Sequence, residues 1–151
     1  DVHHGNGTQE IFYTDPAVFY FSTHQWPCYP GTGRASETGE GPGKGFTLNC
    51  PFPPGSGRKE IAGAFIERLL PAMKKFKPEL VLVSAGFDGL INDPIGAFAM
   101  KDEHFAELTK ILMDIADSHS RGRLITFLEG GYSLSGLESA SAAHVNCLSE
   151  T

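Results

Sequence analysis

A chain of 151 residues has the length of one ordinary domain and can bury roughly two-thirds of the surface that its unfolded form exposes. Its 12 basic and 18 acidic residues give a net charge of -6 without any run of Lys or Arg, which argues against direct binding to nucleic acid. The acidic balance is compatible with a cationic partner such as a basic peptide or a polyamine.

Other classes of protein are disfavoured by the absence of their sequence signals. Cys28, Cys50 and Cys147 are odd in number and include no CxxC pair, so we expect neither a disulfide framework nor a Cys-type zinc site. A reducing compartment, cytoplasmic or nuclear, fits this usage. No stretch of 18 apolar residues predicts a membrane span, and no signal peptide is visible. Because the chain lacks an initiating Met and starts at a predicted strand end, we expect a fragment of a longer protein.

The first residues, DVHHGNGTQ, place Asp1 and His3 two positions apart. On an extended segment both side chains point to one face and can bind one ion. A carboxylate oxygen and an imidazole nitrogen are both zinc ligands, and a catalytic zinc needs three protein ligands. The alternative is an exposed polar strand end, since a DxH pair is short.

The elements that follow alternate between strands and helices. After a glycine turn, TQEIFYTDP predicts a short helix with Thr8 as its cap, and AVFYFS predicts a strand. Residues 24–45 are rich in Gly and Pro and predict a long loop, which in a compact domain is usually functional or disordered. FTLNCPF predicts a second strand.

The second half of the chain repeats the alternation. Apolar spacing predicts helices over 58–76, 102–118 and 134–148, the first interrupted by Pro71. ELVLVSAGFDG is a nearly continuous apolar run that predicts a buried parallel strand, and RLITFLEGGY predicts another. This order predicts an α/β domain with a parallel sheet.

Three of these strand ends carry chemically useful side chains, and ligands of open parallel sheets bind beyond the carboxyl ends of the strands. Asp1 and His3 precede Gly5, Asp88 precedes Gly89, and Tyr132 follows two glycines. Asp88 comes after an apolar run, so its carboxylate is either coordinated or paired, or it is a turn aspartate.

Four motifs together resemble the zinc-dependent histone deacetylases and acetylpolyamine amidohydrolases, in that family's order. They are DVHHGNGTQ, YPGTG at 29–33, VSAGFDGLINDP at 83–94 and EGGYSL at 129–134. The resemblance implies a mainly parallel sheet flanked by helices, arginase/deacetylase-like and incomplete. It also implies a zinc ion, or another divalent ion such as iron(II), on Asp1, His3 and Asp88. Tyr132 resembles the family's transition-state tyrosine.

The resemblance extends to a substrate channel and to monovalent cations. It implies channel positions at Tyr29, Ile95, Gly130 and Gly131, although Tyr29 and Ile95 could simply pack. It implies potassium on the carbonyls of Asp1 and His3 with Ser22 and Thr23. A second monovalent site would use the backbone of four further residues: Phe12, Asp15, Val18 and Phe46.

The sequence departs from the family in lacking the pair of adjacent histidines that act as general base and acid upstream of Asp1. His4 should point away from His3 and is interpreted as structural or as a support for the ligands. The other histidines are interpreted as ordinary core or surface residues: His24, His104, His119 and His144. We therefore expect residues 1–151 to be the C-terminal part of a single deacetylase catalytic domain, inactive alone.

The resemblance implies hydrolysis of an acetyl amide by the full-length protein, on acetyl-lysine of histones or other proteins or on an acetylpolyamine. SAGFDG and EGGY look more like the class II and bacterial branch. A ureohydrolase with two manganese ions is disfavoured because Gly5 stands where such enzymes need an aspartate. A catalytically dead module that binds acetyl-lysine or basic peptides is the other alternative, against which the retained Asp1, His3, Asp88 and Tyr132 argue.

Overall fold

Four strands form two separate parallel pairs in a computed structural model that describes residues 1–150. Strand β1 (Tyr20–Gln25) pairs with β2 (Thr47–Phe52), with Tyr20 opposite Thr47. Strand β3 (Val81–Ala85) pairs with β4 (Leu124–Leu128), with Val81 opposite Leu124. The predicted α/β class with parallel strands is confirmed.

The helices follow the predicted order along the chain, with the first before β1 and the last after β4. They are α1 (Asn6–Phe12), α2 (Arg58–Ala64), α3 (Leu70–Phe76), α4 (Asp102–His119) and α5 (Leu134–Ser149). A single 3-10 turn, Gly41–Gly43, interrupts the long loop. Within the described residues, no helix is both long and apolar enough to cross a membrane.

The predicted helix over 58–76 is not one regular helix. A π-helical segment, Phe65–Leu69, separates α2 from α3, and Pro71 stands in the first turn of α3. Proline has no N–H to donate back along the helix and its ring crowds the preceding turn, so regular hydrogen bonding cannot run through it. The predicted interruption is therefore confirmed as a local widening of the helix.

Helix α1 begins earlier than the sequence predicts. The prediction that Thr8 caps this helix is wrong, because Gly5 is the residue before its first turn and its carbonyl accepts the Gln9 N–H at 3.1 Å. A capping side chain is therefore not what starts the helix.

The chain divides into two compact units. The smaller unit, His3–Pro54, contains α1, β1 and β2. The larger unit joins Asp1–Val2 to the chain from Gly55 onward and contains α2 to α5 with β3 and β4.

The core of the larger unit lies under α4 and α5. Phe87, Leu90 and Ala140 are buried and pack with Phe105 and Leu137. Burial of the Phe87 and Leu90 side chains contributes about 1.5–3 kcal/mol each, so this cluster holds the loop after β3 against the helix pair. That loop contains Asp88, one of the residues that the sequence assigns to the metal.

One face of the β3–β4 pair is not part of this core. Leu82 is 61% exposed and Ile125, its partner across the ladder, is 48% exposed. The prediction that the apolar run in ELVLVSAGFDG forms a buried strand is wrong, since exposed and half-buried residues alternate along β3. Alternation places every second side chain on the open face.

Candidate metal centre

The structure brings three predicted metal ligands together. Asp1, His3 and Asp88 each offer one donor atom, and these atoms all lie within 4.8 Å of one another. Asp88 is completely buried, two residues after the glycine that follows β3. Two carboxylates and one imidazole form a donor set that zinc accepts, and a catalytic zinc takes a water or a substrate atom as its fourth ligand.

The first residues are held by hydrogen bonds and not by strand pairing. Asp1 to Gly5 contain no strand, so the predicted strand end at this position is wrong. The Asp1 nitrogen donates to the Gly86 carbonyl at 3.1 Å, and the Val2 N–H donates to Asp88 Oδ1 at 2.7 Å. The Asp88 carboxylate therefore fixes the segment that carries Asp1.

Two glycines make the close packing of the carboxylates feasible. A methyl group at Gly130 would lie 2.6 Å from Asp1 Oδ2 and in contact with the Asp88 carboxylate, and one at Gly86 would lie 2.5 Å from Asp1 Cα. The Gly130 N–H also donates to Asp1 Oδ2 at 2.9 Å. Gly86 and Gly130 thus form a cradle for the donor set, in which a Cβ would occupy the space beside the carboxylates. This close approach fits a bound ion. Sequence reasoning placed Gly130 at the channel and missed Gly86, which the motif SAGFDG contains.

Tyr132 and Ile95 are both held by one aspartate that the sequence reasoning missed. Tyr132 is 48% exposed and Ile95 is 53% exposed. The Tyr132 N–H donates to Asp93 Oδ2 at 2.9 Å, and the Ile95 N–H donates to Asp93 Oδ1 at 2.8 Å. Gly131, with φ of 146°, precedes Tyr132 and has a backbone conformation that favours glycine. The motif NDP was the signal for Asp93.

Asp93 is ionised at neutral pH because hydrogen bonds outweigh burial. Burial raises the pKa of this carboxyl, but N–H donors of Gly96, Tyr132, Ile95 and Ser133 lower it, and the net pKa lies below its ordinary value. A carboxylate that accepts several backbone N–H groups is stabilised in its charged form.

In the smaller unit, His4 is a structural histidine, as interpreted from the sequence. It is buried, and its ring nitrogens lie 2.8 Å from Thr32 Oγ1 and 2.9 Å from Gln9 Oε1. The Gln9 amide in turn donates to Glu37 Oε2 at 2.7 Å. Both nitrogens of His4 have partners within the smaller unit and the residue is buried, so its surroundings are those of a structural histidine.

Glu37 fixes the loop that contains YPGTG. Its carboxylate accepts the N–H groups of Gly33 and Arg34, each at 3.0 Å, which with Gln9 lowers its pKa although burial alone would raise it. Sequence reasoning missed Glu37. Tyr29 in this loop is 79% exposed, and its ring lies edge-on to His3 with centroids 6.2 Å apart. A wall position for Tyr29 stays a prediction.

The residues predicted to bind potassium lie around β1 and α1. Ser22 and Thr23 belong to β1, and Ser22 Oγ lies 3.0 Å from His24 Nδ1. The Phe12 and Asp15 carbonyls accept backbone N–H groups from Asp15 and Val18. The Phe46 carbonyl accepts the Tyr20 N–H at 2.8 Å. Both monovalent sites stay predictions.

The remaining histidines, His104, His119 and His144, lie on helices α4 and α5. His144 is buried on α5 with Nδ1 2.6 Å from Thr109 Oγ1 of α4, and burial lowers its pKa. His104 accepts the Lys101 N–H at the start of α4, and His119 lies at its end.

His24 predicts a pH dependence of stability. It is fully buried with Nε2 2.8 Å from the Gly33 carbonyl, and burial lowers its pKa to about 4. The pKa of a histidine in an unfolded chain is about 6.5, so between the two pKa values the unfolded chain binds more protons than the folded chain. We expect the free energy of unfolding to fall as the pH drops from about 6.5 to about 4.

Denaturant unfolding at several pH values of the protein and of His24→Gln measures this effect. The variant should lose part of the acid slope, while the two curves should run parallel between pH 7 and 9, where neither state protonates this residue. Equal acid slopes would show that His24 does not carry the dependence.

Comparison with known proteins identifies the chain. The histone deacetylase domain family matches residues 1–148, which is nearly the whole chain. The chain belongs to the histone deacetylase domain family. A probable deacetylase of Archaeoglobus fulgidus is 46% identical over 136 residues, covering 90% of this chain and 38% of that protein.

Further relatives of this histone deacetylase domain agree in sequence and in structure. A histone deacetylase-like amidohydrolase of Pseudomonas aeruginosa is 42% identical over 134 residues, covering 88% of this chain and 35% of that protein. The crystal structure of the HDA15 HD domain matches 98% of this chain with a TM-score of 0.92 and 38% identity, and the match covers 42% of that structure. The chain thus spans little more than a third of the length of these two curated relatives.

Proposed function

We propose that residues 1–151 are the C-terminal part of one deacetylase catalytic domain, and that the full-length protein hydrolyses an acetyl amide. The observation that carries the proposal is the cluster of Asp1, His3 and Asp88 donor atoms, next to which the Gly130 N–H donates to Asp1. The coverage of only 35–38% of the two curated relatives supports a larger catalytic domain. The substrate class is an acetylated lysine of a protein or an acetylpolyamine, in keeping with the net charge of -6.

Asp1, His3 and Asp88 would hold the divalent ion, zinc by preference for this donor set and iron(II) as the alternative. When bound, the ion would polarise the acetyl carbonyl and lower the pKa of its water to near neutrality. The hydrogen bonds from Val2 to Asp88 and from Gly130 to Asp1 would keep the two carboxylates oriented. Potassium on the predicted carbonyl sites would add a second positive charge near the ligands.

Tyr132 would supply the hydrogen-bond donor to the acetyl oxygen as negative charge develops there. Tyr132 is half exposed, so the residue is accessible to a substrate. Gly130 and Gly131 have no side chains to obstruct the acyl group, and Tyr29 and Ile95 would form apolar walls. A donor placed for the developing oxyanion stabilises the transition state more than the ground state.

The general base is proposed to lie outside residues 1–151. His3 is a proposed ligand, and both nitrogens of His4 are engaged with Thr32 and Gln9. Loss of a general base typically reduces the rate by about 10²–10⁴-fold, so the isolated chain would have little activity.

A binuclear manganese ureohydrolase has less support. Within residues 1–150 the structure brings together one such group of three His, Cys, Asp or Glu donors. A second ion would need further carboxylates, and Gly5 stands at the position that would supply one.

Tyr132→Phe in the full-length protein tests the proposed reaction. The substitution removes only the hydroxyl, and we expect kcat for acetate release from an acetyl-lysine peptide or an acetylpolyamine to fall by about 10²–10³-fold. Zinc content should not change. Tyr13→Phe, which removes a phenol hydroxyl next to α1, is the matched control and should retain full turnover. Failure of the wild-type protein to release acetate from both substrates would contradict the proposed function.

A further inference from the structure

A single buried carboxylate connects the loop after β3 to the loop after β4 in the larger unit. Asp93 is 8% exposed. Its Oδ1 accepts the N–H groups of Ile95 at 2.8 Å and Gly96 at 3.0 Å. Its Oδ2 accepts the N–H groups of Tyr132 at 2.9 Å and Ser133 at 3.3 Å. Four backbone donors from two loops therefore converge on one side chain.

Each end of this connection lies next to a proposed functional residue. On one side, Gly96 packs on the Asp88 carbonyl so closely that a Cβ there would overlap the carbonyl oxygen. On the other side, Tyr132 directly precedes Ser133, the N-cap of α5, whose hydroxyl accepts the Gly136 N–H at 3.3 Å. A negative charge at the N-terminus of a 16-residue helix is stabilised by the helix dipole.

We propose that Asp93 is a positioning residue for Tyr132. Tyr132 is half exposed, so packing alone does not fix its side chain. The hydrogen bond to the Tyr132 N–H fixes the backbone from which the ring projects, and the bond to Ser133 fixes the next residue. This inference rests on the proposed function, in which the Tyr132 hydroxyl donates to the acetyl oxygen.

A purely structural tie would have a different signature. It would lower stability and metal retention together, and its effect on turnover would be independent of the tyrosine hydroxyl. A positioning residue acts through Tyr132, so its removal should lower kcat while KM and the zinc content remain, and the effect should disappear once the hydroxyl is absent.

The test uses Asp93→Asn in the full-length protein. Asparagine keeps the shape but replaces one oxygen by an NH2 group, which cannot accept from the two N–H donors that it would face. We expect kcat to fall by about tenfold or more, yet by less than the roughly 10²–10³-fold loss in Tyr132→Phe. KM and zinc content should stay within about twofold. Asp114→Asn, which removes an exposed carboxylate paired with Lys110, is the matched control and should leave kcat unchanged.

The double variant decides between the two interpretations. Asp93→Asn combined with Tyr132→Phe should have a kcat within about twofold of Tyr132→Phe alone, because residues that act through one group are not additive. Losses that multiply, or an unchanged kcat in Asp93→Asn, would overturn the proposal. If Asp93→Asn does not fold, Asp93→Glu is used in the same cycle, since it keeps the charge and shifts the acceptor by one methylene.

Failure of this inference can be told from failure of the proposed function. Wild-type turnover in Tyr132→Phe would overturn both the role of the tyrosine hydroxyl and the positioning role of Asp93. A low kcat in Tyr132→Phe together with an unchanged kcat in Asp93→Asn would overturn only the latter.

Discussion

Asp88→Asn is expected to abolish zinc binding and turnover in the full-length protein. The substitution removes a negative charge and one of the three proposed donors, while its amide oxygen can still accept the Val2 N–H that Asp88 Oδ1 accepts at 2.7 Å. The segment before His3 should therefore keep its hydrogen bond. Loss of several kcal/mol of metal-derived stabilisation corresponds to a decrease in kcat/KM of roughly 10³-fold or more.

Zinc per protein, measured by atomic emission after gel filtration, checks this prediction together with acetate release. Asp114→Asn is the control for loss of a carboxylate in the same unit and should retain both metal and activity. A zinc content equal to that of the unsubstituted protein, with unchanged turnover, would rule out Asp88 as a ligand.

Gly130→Ala is expected to have the second large effect. The added methyl carbon would lie 2.6 Å from Asp1 Oδ2 and would also contact the Asp88 carboxylate, so both proposed ligands would have to move. The φ angle of Gly130 is not in the left-handed region, so the backbone tolerates alanine and the effect is steric. We expect zinc affinity to fall by at least about tenfold, the range typical of disturbed ligand support.

Competition with a zinc-binding dye measures the affinity of Gly130→Ala. Gly63→Ala is a matched control within α2, because a Cβ there meets nothing within 4 Å. That control should bind zinc normally and gain up to about 1 kcal/mol of stability, since alanine favours a helix. Equal zinc affinities of Gly130→Ala and Gly63→Ala would show that the cradle does not hold the ligands.

Much of the fold could be predicted from local patterns. Helix α4 begins at Asp102 as predicted and ends one residue later than predicted, because its apolar spacing is regular and its first turn is acidic. The interruption of the helix over 58–76 by Pro71 could also be predicted, since the missing N–H is a property of proline itself. The start of α1 could not be predicted, because its first turn is closed by a hydrogen bond to the Gly5 carbonyl and has no capping side chain.

The candidate site divides in the same way. Asp1, His3, Asp88 and Tyr132 could be selected from the sequence because each stands in a short motif, and the order of the motifs carried the family resemblance. The sequence could not predict that the Val2 N–H donates to Asp88 or that the Asp1 nitrogen donates to the Gly86 carbonyl, because these hydrogen bonds join residues 85 or more positions apart.

What the sequence determined by itself, then, was the class of the fold, which follows from the alternation of strand and helix patterns, and, through the family resemblance of its motifs, the identity of the candidate ligands. Only the tertiary structure assigned Gly130 to the carboxylates and Asp93 to the backbone of Tyr132. Gly130 has no side chain from which a contact could be predicted. Asp93 lies in a loop, where an aspartate could equally have been a turn residue. Their roles depend on which distant backbone groups the folded chain brings within hydrogen-bonding distance.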